Sequence, residues 1–508
     1  MVSGQEGHRR RNVDIHLQVG DERSPQEESA KPRERPTPTF MALIVADLRG
    51  VGLGASSEGL PPLSQRKATP VDRDDLDQVL AGFGSEVEVP VGNAGFPMSL
   101  RFQEMEDFHP DRLIARAPLL RTIRELRSRV EEGRDPVSGA QASPAQETDS
   151  QVMDGEGLLD EILTEAGGPR RSNGSEGTPG DLAATEGNGP GDMQAFLRRV
   201  TQPHEVTPKG EGRERRLAIL DEAMAARLRS LLRHPRFQAM EALWRGISFL
   251  VHRLETGPRL KICLLHATPE ELSSAAGEGG LSPMLAAAAE DLPGAPEWNA
   301  IMVHQSISRE PSDMLLLEAL ARTGQEMQVP ILAEVDPTLL ESDEGPESGD
   351  AGDERNHWSR VREHPGAAFL GLLLPRFLLR APYGEEENPM ELLDFEELEP
   401  EKDPELAHLL WGHPGFLAVL LLGTAFQEGA ASEVLPGRGE VTGLPPVVHR
   451  GGNGAVILPP VEVALGGGEV TQLARAGFIP VEGRPGESTL RIRDLPSVAT
   501  SGQRLQGI

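Results

Sequence analysis

From residue 259 onward the chain repeats one pattern, a short apolar run of strand length followed by residues at helical spacing. "RLKICLL" (259–265), "NAIMVHQ" (299–305), "VPILAEV" (329–335) and "AAFLGLLLP" (367–375) read as strands, and "DMLLLEALARTGQEM" (313–327) as a helix between two of them. Nearly continuous apolar strands are those covered on both faces, and parallel neighbours need a helical crossover of this kind. The order predicts an α/β fold with a largely parallel sheet.

The residues ahead of this pattern divide into blocks. Leu217, Leu220, Met224, Leu228 and Leu231 recur at spacings of three and four and define one helix face. His234-Pro235 breaks that helix and starts another, with proline where its missing N–H costs nothing. Phe237, Met240, Trp244 and Ile247 then keep helical spacing and are expected to be core anchors, while Glu241 can pair with Arg245 one turn on. Residues 192–495 are read as this larger domain. Residues 1–132 form a smaller α/β unit, with an alternating strand at 13–19 (Val13, Ile15 and Leu17 on one side), a buried strand within 40–50, a helix ending at Gly82, a strand at 85–91, and a helical segment at 107–132 interrupted by Pro118.

Between the blocks, residues 133–191 are rich in Gly, Ser, Pro, Glu and Asp and are read as a disordered linker. Within it, 157–166 has the pattern of a short amphipathic helix with Leu158, Leu159, Ile162 and Leu163 on one face, as suited to docking on a partner as to packing within the chain. Toward the C-terminus come an acidic tract at 385–405, read as a solvated face, an apolar helix at 416–426, short strands at 456–458 and 461–464, and a frayed tail at 496–508.

Charge and motifs narrow the function classes. A net charge of -30 argues against nucleic-acid binding, which needs stripes of Lys and Arg. Cys263 is the only cysteine, so neither an intrachain disulfide framework nor a cysteine zinc site is open to the chain. The N-terminus lacks the apolar core of a signal peptide, and the longest apolar runs are too short to span a bilayer, so the expected location is the cytoplasm, without membrane insertion. "GVGLG" (50–54) follows a strand, but Pro61 and Pro62 stand where a dinucleotide-binding helix would run, and a turn is the better reading. His109, His234, His364 and His413 each precede a proline, which marks turns leading into helices. No constellation points to a catalytic, cofactor or metal site, so no enzymatic activity and no cofactor are expected.

Several stretches carry a family resemblance. "LLRHPRFQAMEALWRGISFLVHRLETGPRLKICLL" (231–265), "FLGLLLPRFLLRAPYGEEENPMELLDFEE" (369–397), "HLLWGHPGF" (408–416) and "LARAGFIPV" (473–481) resemble, in order, blocks of the large subunit of the type VI secretion contractile sheath (TssC, VipB). "VADLRG", "RKATPVDRDDLDQVLAGFGSEVEVPV" and "FQEMEDFHPDRLIARAPLLRTIRELRSRV" resemble the small subunit (TssB, VipA). The resemblance implies a fusion of the two, a structural component forming or joining the tubule around an inner tube. Its partners would be sheath subunits and the inner tube protein, with the baseplate and the AAA+ disassembly ATPase as further candidates. It also implies a contact for that ATPase at Leu158, Leu159, Ile162 and Leu163, and a strand-donor interface at Val13, Ile15 and Leu17. The chain stops about 27 residues after the last block, short of the family's C-terminal region, and the alternative reading is a non-polymerising adaptor or regulator that binds sheath subunits or the baseplate.

Overall fold

The computed structural model describes residues 39–55, 59–91, 96–133, 211–278, 280–292, 297–340, 351–384, 388–398, 408–429, 439–445, 447–451, 454–500 and 502–508. The strand expected at 13–19, with Val13, Ile15 and Leu17, lies outside them, as do the linker after residue 133 and its helix with Leu158, Leu159, Ile162 and Leu163.

β1 (Phe40–Ala46) is the strand around which the rest is arranged. It pairs in parallel with β5 (Leu260–His266) on one side and with β6 (Ala300–Ile307) on the other. A strand from the N-terminal block therefore stands inside the sheet of the C-terminal block. β7 (Ile331–Val335), β8 (Leu370–Leu374) and β14 (Phe478–Pro480) extend the sheet beyond β6, and β2 (Thr69–Val71) closes the other edge. All pairings of this seven-stranded sheet are parallel except that of β2, which runs antiparallel to β5.

Both faces of the sheet are covered. Along β1, Phe40, Ala42, Ile44 and Ala46 enter one apolar core while Met41, Leu43 and Val45 enter another, as the two-residue period of a strand requires. The first core is roofed by α5 (Pro235–Arg253) and α10 (Gly415–Glu428), and it continues into α1 (Leu76–Phe83), α2 (Pro110–Arg116), α3 (Pro118–Glu131) and α4 (Glu211–Leu232). α6 (Pro269–Glu278), α7 (Ser282–Ala287) and α8 (Pro311–Met327) cover the second. α3 of the N-terminal block packs along α4. α9 (Ala351–Glu363) and α11 (Gly467–Arg475) complete the helices of the described residues, and β3 (Glu86–Val91) with β4 (Phe96–Arg101) makes an antiparallel hairpin. The shorter pairings are β9 (Phe377–Leu378) with β10 (Trp411–Gly412), β12 (Val447–Gly451) with β13 (Gly454–Leu458), and β11 (Glu440–Val441) and β15 (Glu482–Gly483) on either side of β16 (Leu490–Arg491).

Three expectations need correction. α1 runs past Gly82 and stops at Gly84, whose φ of 66° is the left-handed conformation that glycine adopts without cost. Residues 461–464 do not form a strand: Val461 makes a single bridge to Phe377, after Pro459 and Pro460, neither of which has an N–H to give a ladder. The tail from Pro496 is not frayed. Val498 is fully buried, its N–H donates to the Leu370 carbonyl, Gln506 N–H donates to the Ala368 carbonyl, and Leu505 is buried. The apolar anchors there are single residues among polar ones, so no run or period reveals them.

Candidate functional site

α5 is where the two sequence blocks meet. Phe237, Met240, Trp244 and Ile247 are all fully buried. The Phe237 ring lies 6.1 Å from those of Phe102 and Phe108, and the Trp244 ring 6.1 Å from Phe83, all three partners coming from the N-terminal block. On the same helix Gly246 accepts the edge of Phe416 from α10 so closely that a Cβ would stand 2.1 Å from Phe416 Cε2. Apolar bulk and a glycine thus serve two contacts, one across the blocks and one to α10.

Between these contacts α5 carries a fully buried carboxylate, Glu241. It accepts from Arg245 Nε at 2.7 Å and from Arg380 Nε at 2.8 Å. Arg380, itself buried, also donates to Glu397 (Nη1 to Oε2, 2.7 Å), and Glu397 accepts the backbone N–H of Tyr383 at 2.8 Å. Arg245 Nη2 reaches the Tyr383 hydroxyl at 3.1 Å. Burial works to raise the Glu241 pKa, but Arg380 and Arg245 outweigh it and hold the carboxyl below its usual range. Burial pushes the Tyr383 phenol up to about 12. The network fastens a strap carrying Arg380, Tyr383 and Glu397 to α5. Sequence reasoning found the Glu241–Arg245 pair and missed Arg380, Tyr383 and Glu397. Glu397 falls in the acidic tract read as solvated, yet it is 1% exposed. Tyr383 is the only tyrosine of the chain, and that was the one available signal.

The "GVGLG" segment forms a short 3-10 turn, Val51–Leu53. Its amides are already answered: the Asp47 carboxylate accepts from Gly50, Val51 and Gly52 N–H at 2.9, 3.0 and 2.7 Å. A carboxylate of the chain itself takes the position a bound phosphate would need. The four His-Pro pairs share one device. Each histidine Nδ1 accepts the N–H two residues on, at 3.3 Å for Asp111 and Arg236 and 3.0 Å for Gly366 and Gly415, so the imidazole caps the helical turn that proline opens. Cys263 is buried in β5, where desolvation pushes its thiol up to about 12. No group of three potential metal ligands occurs among the described residues. At the carboxyl ends of β6 and β7 lies a cavity of about 330 Å³ lined in part by His304, Glu334, Trp411 and His413.

Two family models match the chain. One, VipB (EvpB/VC_A0108, tail sheath N-terminal domain), matches residues 214–498, more than half of the 508. The chain belongs to the VipB tail sheath family. The other model, described as "Type VI secretion system, VipA, VC_A0107 or Hcp2", matches residues 25–167. Among curated proteins, the type VI secretion system sheath protein TssC1 of Pseudomonas aeruginosa is 27% identical over 285 residues, which are 52% of this chain and 57% of that protein. This chain is therefore a fused VipA-like and VipB-like sheath protein, and its matched stretch spans little more than half of that relative. The sheet places the VipA-matching strand β1 between the VipB-matching strands β5 and β6. The α5 anchors, the ionic strap and the capping histidines at 234, 364 and 413 lie in the VipB-matching region, and His109 lies in the VipA-matching region. No helix among the described residues is long and apolar enough to cross a membrane.

Proposed function

We propose that the chain is a non-enzymatic structural subunit of a type VI secretion contractile sheath, supplying the small and large sheath parts from one polypeptide. In this reading it forms or joins the cytoplasmic tubule around an inner tube, and contraction of that tubule drives delivery. The observation that carries the reading is the position of β1, with five interior strands sharing one continuous parallel ladder across the two blocks. Such a body is one mechanical unit, as a load-bearing wall requires. Its partners are other sheath subunits and the inner tube protein, with the baseplate as a further contact. Leu158, Leu159, Ile162 and Leu163 form the contact for a disassembly ATPase, and Val13, Ile15 and Leu17 form the strand given to a neighbouring subunit.

Electron microscopy of the purified protein, alone and mixed with a separate sheath pair, tests this. Hollow tubules containing the protein are expected. Monomers that decorate only preformed sheaths would replace the subunit reading with that of an adaptor.

A further inference from the structure

Glu334 is out of keeping with its surroundings. It lies in β7, an interior strand whose five residues are all buried, where an apolar side chain is the rule. Its cross-strand partner is Ser306 of β6, and the β6–β7 register slips between Met302 and Ser306. Irregularities of this kind commonly re-aim side chains beside a site. Here the slipped residues His304 and Gln305 line, together with Ser306, Glu334, Arg376 and Trp411, the cavity of about 330 Å³.

Polar groups of both kinds line the cavity: Glu334 and Gln305 offer acceptor oxygens, and Trp411 Nε1 is a buried donor with no partner among the described residues. Arg376 is its one lining cation among the described residues, and that guanidinium is forked onto Glu462, with Nε to Oε2 at 2.8 Å. Glu334 forms no salt bridge with any described residue: the Arg376 charge and a hydrogen bond from Ser306 favour its ionised form, while burial, Glu462 and Asp336 oppose it. Gln305 donates its amide N–H to Asp313 at 3.2 Å, and its buried Oε1 has no partner among the described residues. Trp411 brings an indole ring, a surface that attracts cations. Burial holds His304 at about 4 and keeps His413 well below its ordinary range, so neither imidazole adds positive charge near neutral pH.

We propose that this cavity binds a single guanidinium or alkylammonium head group, with Glu334 as its counter-ion. The inference does not depend on the sheath reading. The head group could belong to a free amine or to an arginine or lysine side chain of a partner protein, and two probes separate these sources. Calorimetric titration of the full chain at pH 8 with agmatine, and with a blocked Gly-Arg-Gly peptide, should show saturable binding of at least one. Tighter binding of agmatine identifies a free amine as the natural ligand, and tighter binding of the peptide identifies a side chain. Glu334→Gln, an isosteric change, should weaken binding at least about tenfold while thermal melting remains cooperative. Affinity should also fall as the pH is lowered through about 7, where burial has raised the Glu334 carboxyl. The other groups facing it, Arg376, Asp336, Glu462, His304 and His413, stay unchanged in the variant, which should therefore lose this pH dependence. Absence of binding by both probes up to about 10 mM, or equal binding by parent and Glu334→Gln, overturns the proposal.

Discussion

Gly246 and Glu241 lie on the same helix and test two kinds of burial. Adding a methyl group at Gly246 must displace the Phe416 ring, because the new Cβ would stand 2.1 Å from it. We expect Gly246→Ala to cost on the order of 3 kcal/mol, read as a lower midpoint in urea at unchanged slope. An unchanged midpoint would mean that α5 and α10 can separate freely. Glu241→Ala leaves Arg380 buried with only Glu397 to neutralise it and strips Arg245 of its carboxylate partner. A loss of roughly 3–5 kcal/mol is expected, and a variant as stable as the parent would show that the network contributes nothing to holding the strap. The glycine was legible as part of a Trp-Arg-Gly signature, but not the reason for it, since Phe416 is 170 residues away and nothing local to α5 reports it. The same holds for Arg380, which meets Glu241 across 139 residues.

The elements were the most legible level. Apolar runs at 299–305 and 329–335 became β6 and β7, and the His-Pro steps became helix starts, because a strand covered on both faces and a proline at a first turn are both set by local chemistry. β2, β9, β10 and β14 were missed. They are two or three residues long, and tertiary pairing alone makes them strands. The capping role of the histidines has a pH consequence. His413 accepts from Gly415 N–H through Nδ1, and its ring lies 5.1 Å from that of His304. Burial depresses both pKa values, His304 to about 4, while the unfolded chain titrates near 6.5. A depressed folded pKa means that the unfolded state takes up protons first. The stability from the neutral rings is therefore complete above about pH 6.5 and lost progressively as the pH falls toward 4. Glu334 runs the other way: its carboxyl, raised to about 7, contributes fully below the unfolded value near 4.3 and loses that contribution as the pH rises through 7. Glu334→Gln should thus be more stable than the parent at pH 8 and equal to it near pH 4.5. Thermal melts across this range check both signs, and a variant no more stable at pH 8 would contradict the assignment for Glu334.

At the scale of the whole molecule, the sequence distinguishes two blocks and leaves their joint sheet unannounced. A strand such as "FMALIVA" reads as buried on both faces, but which strands flank it depends on residues more than two hundred positions away. The tail belongs to the same lesson, since Val498 and Leu505 close over the sheet from a stretch with no apolar period. Deleting residues 496–508 should remove the hydrogen bonds that Val498 and Gln506 give to the Leu370 and Ala368 carbonyls and lower the melting temperature, whereas an unaffected melt would make the tail dispensable. The central claim is that the VipA-like and VipB-like parts form one body through β1, and it can be tested by cutting the chain between them. A protease site placed at Gly174, followed by complete cleavage and size-exclusion chromatography at micromolar concentration, should give two fragments that elute together in native buffer and separate only in denaturant. Fragments that part in native buffer would contradict a shared sheet, because β1 cannot leave its place between β5 and β6 without breaking two parallel ladders.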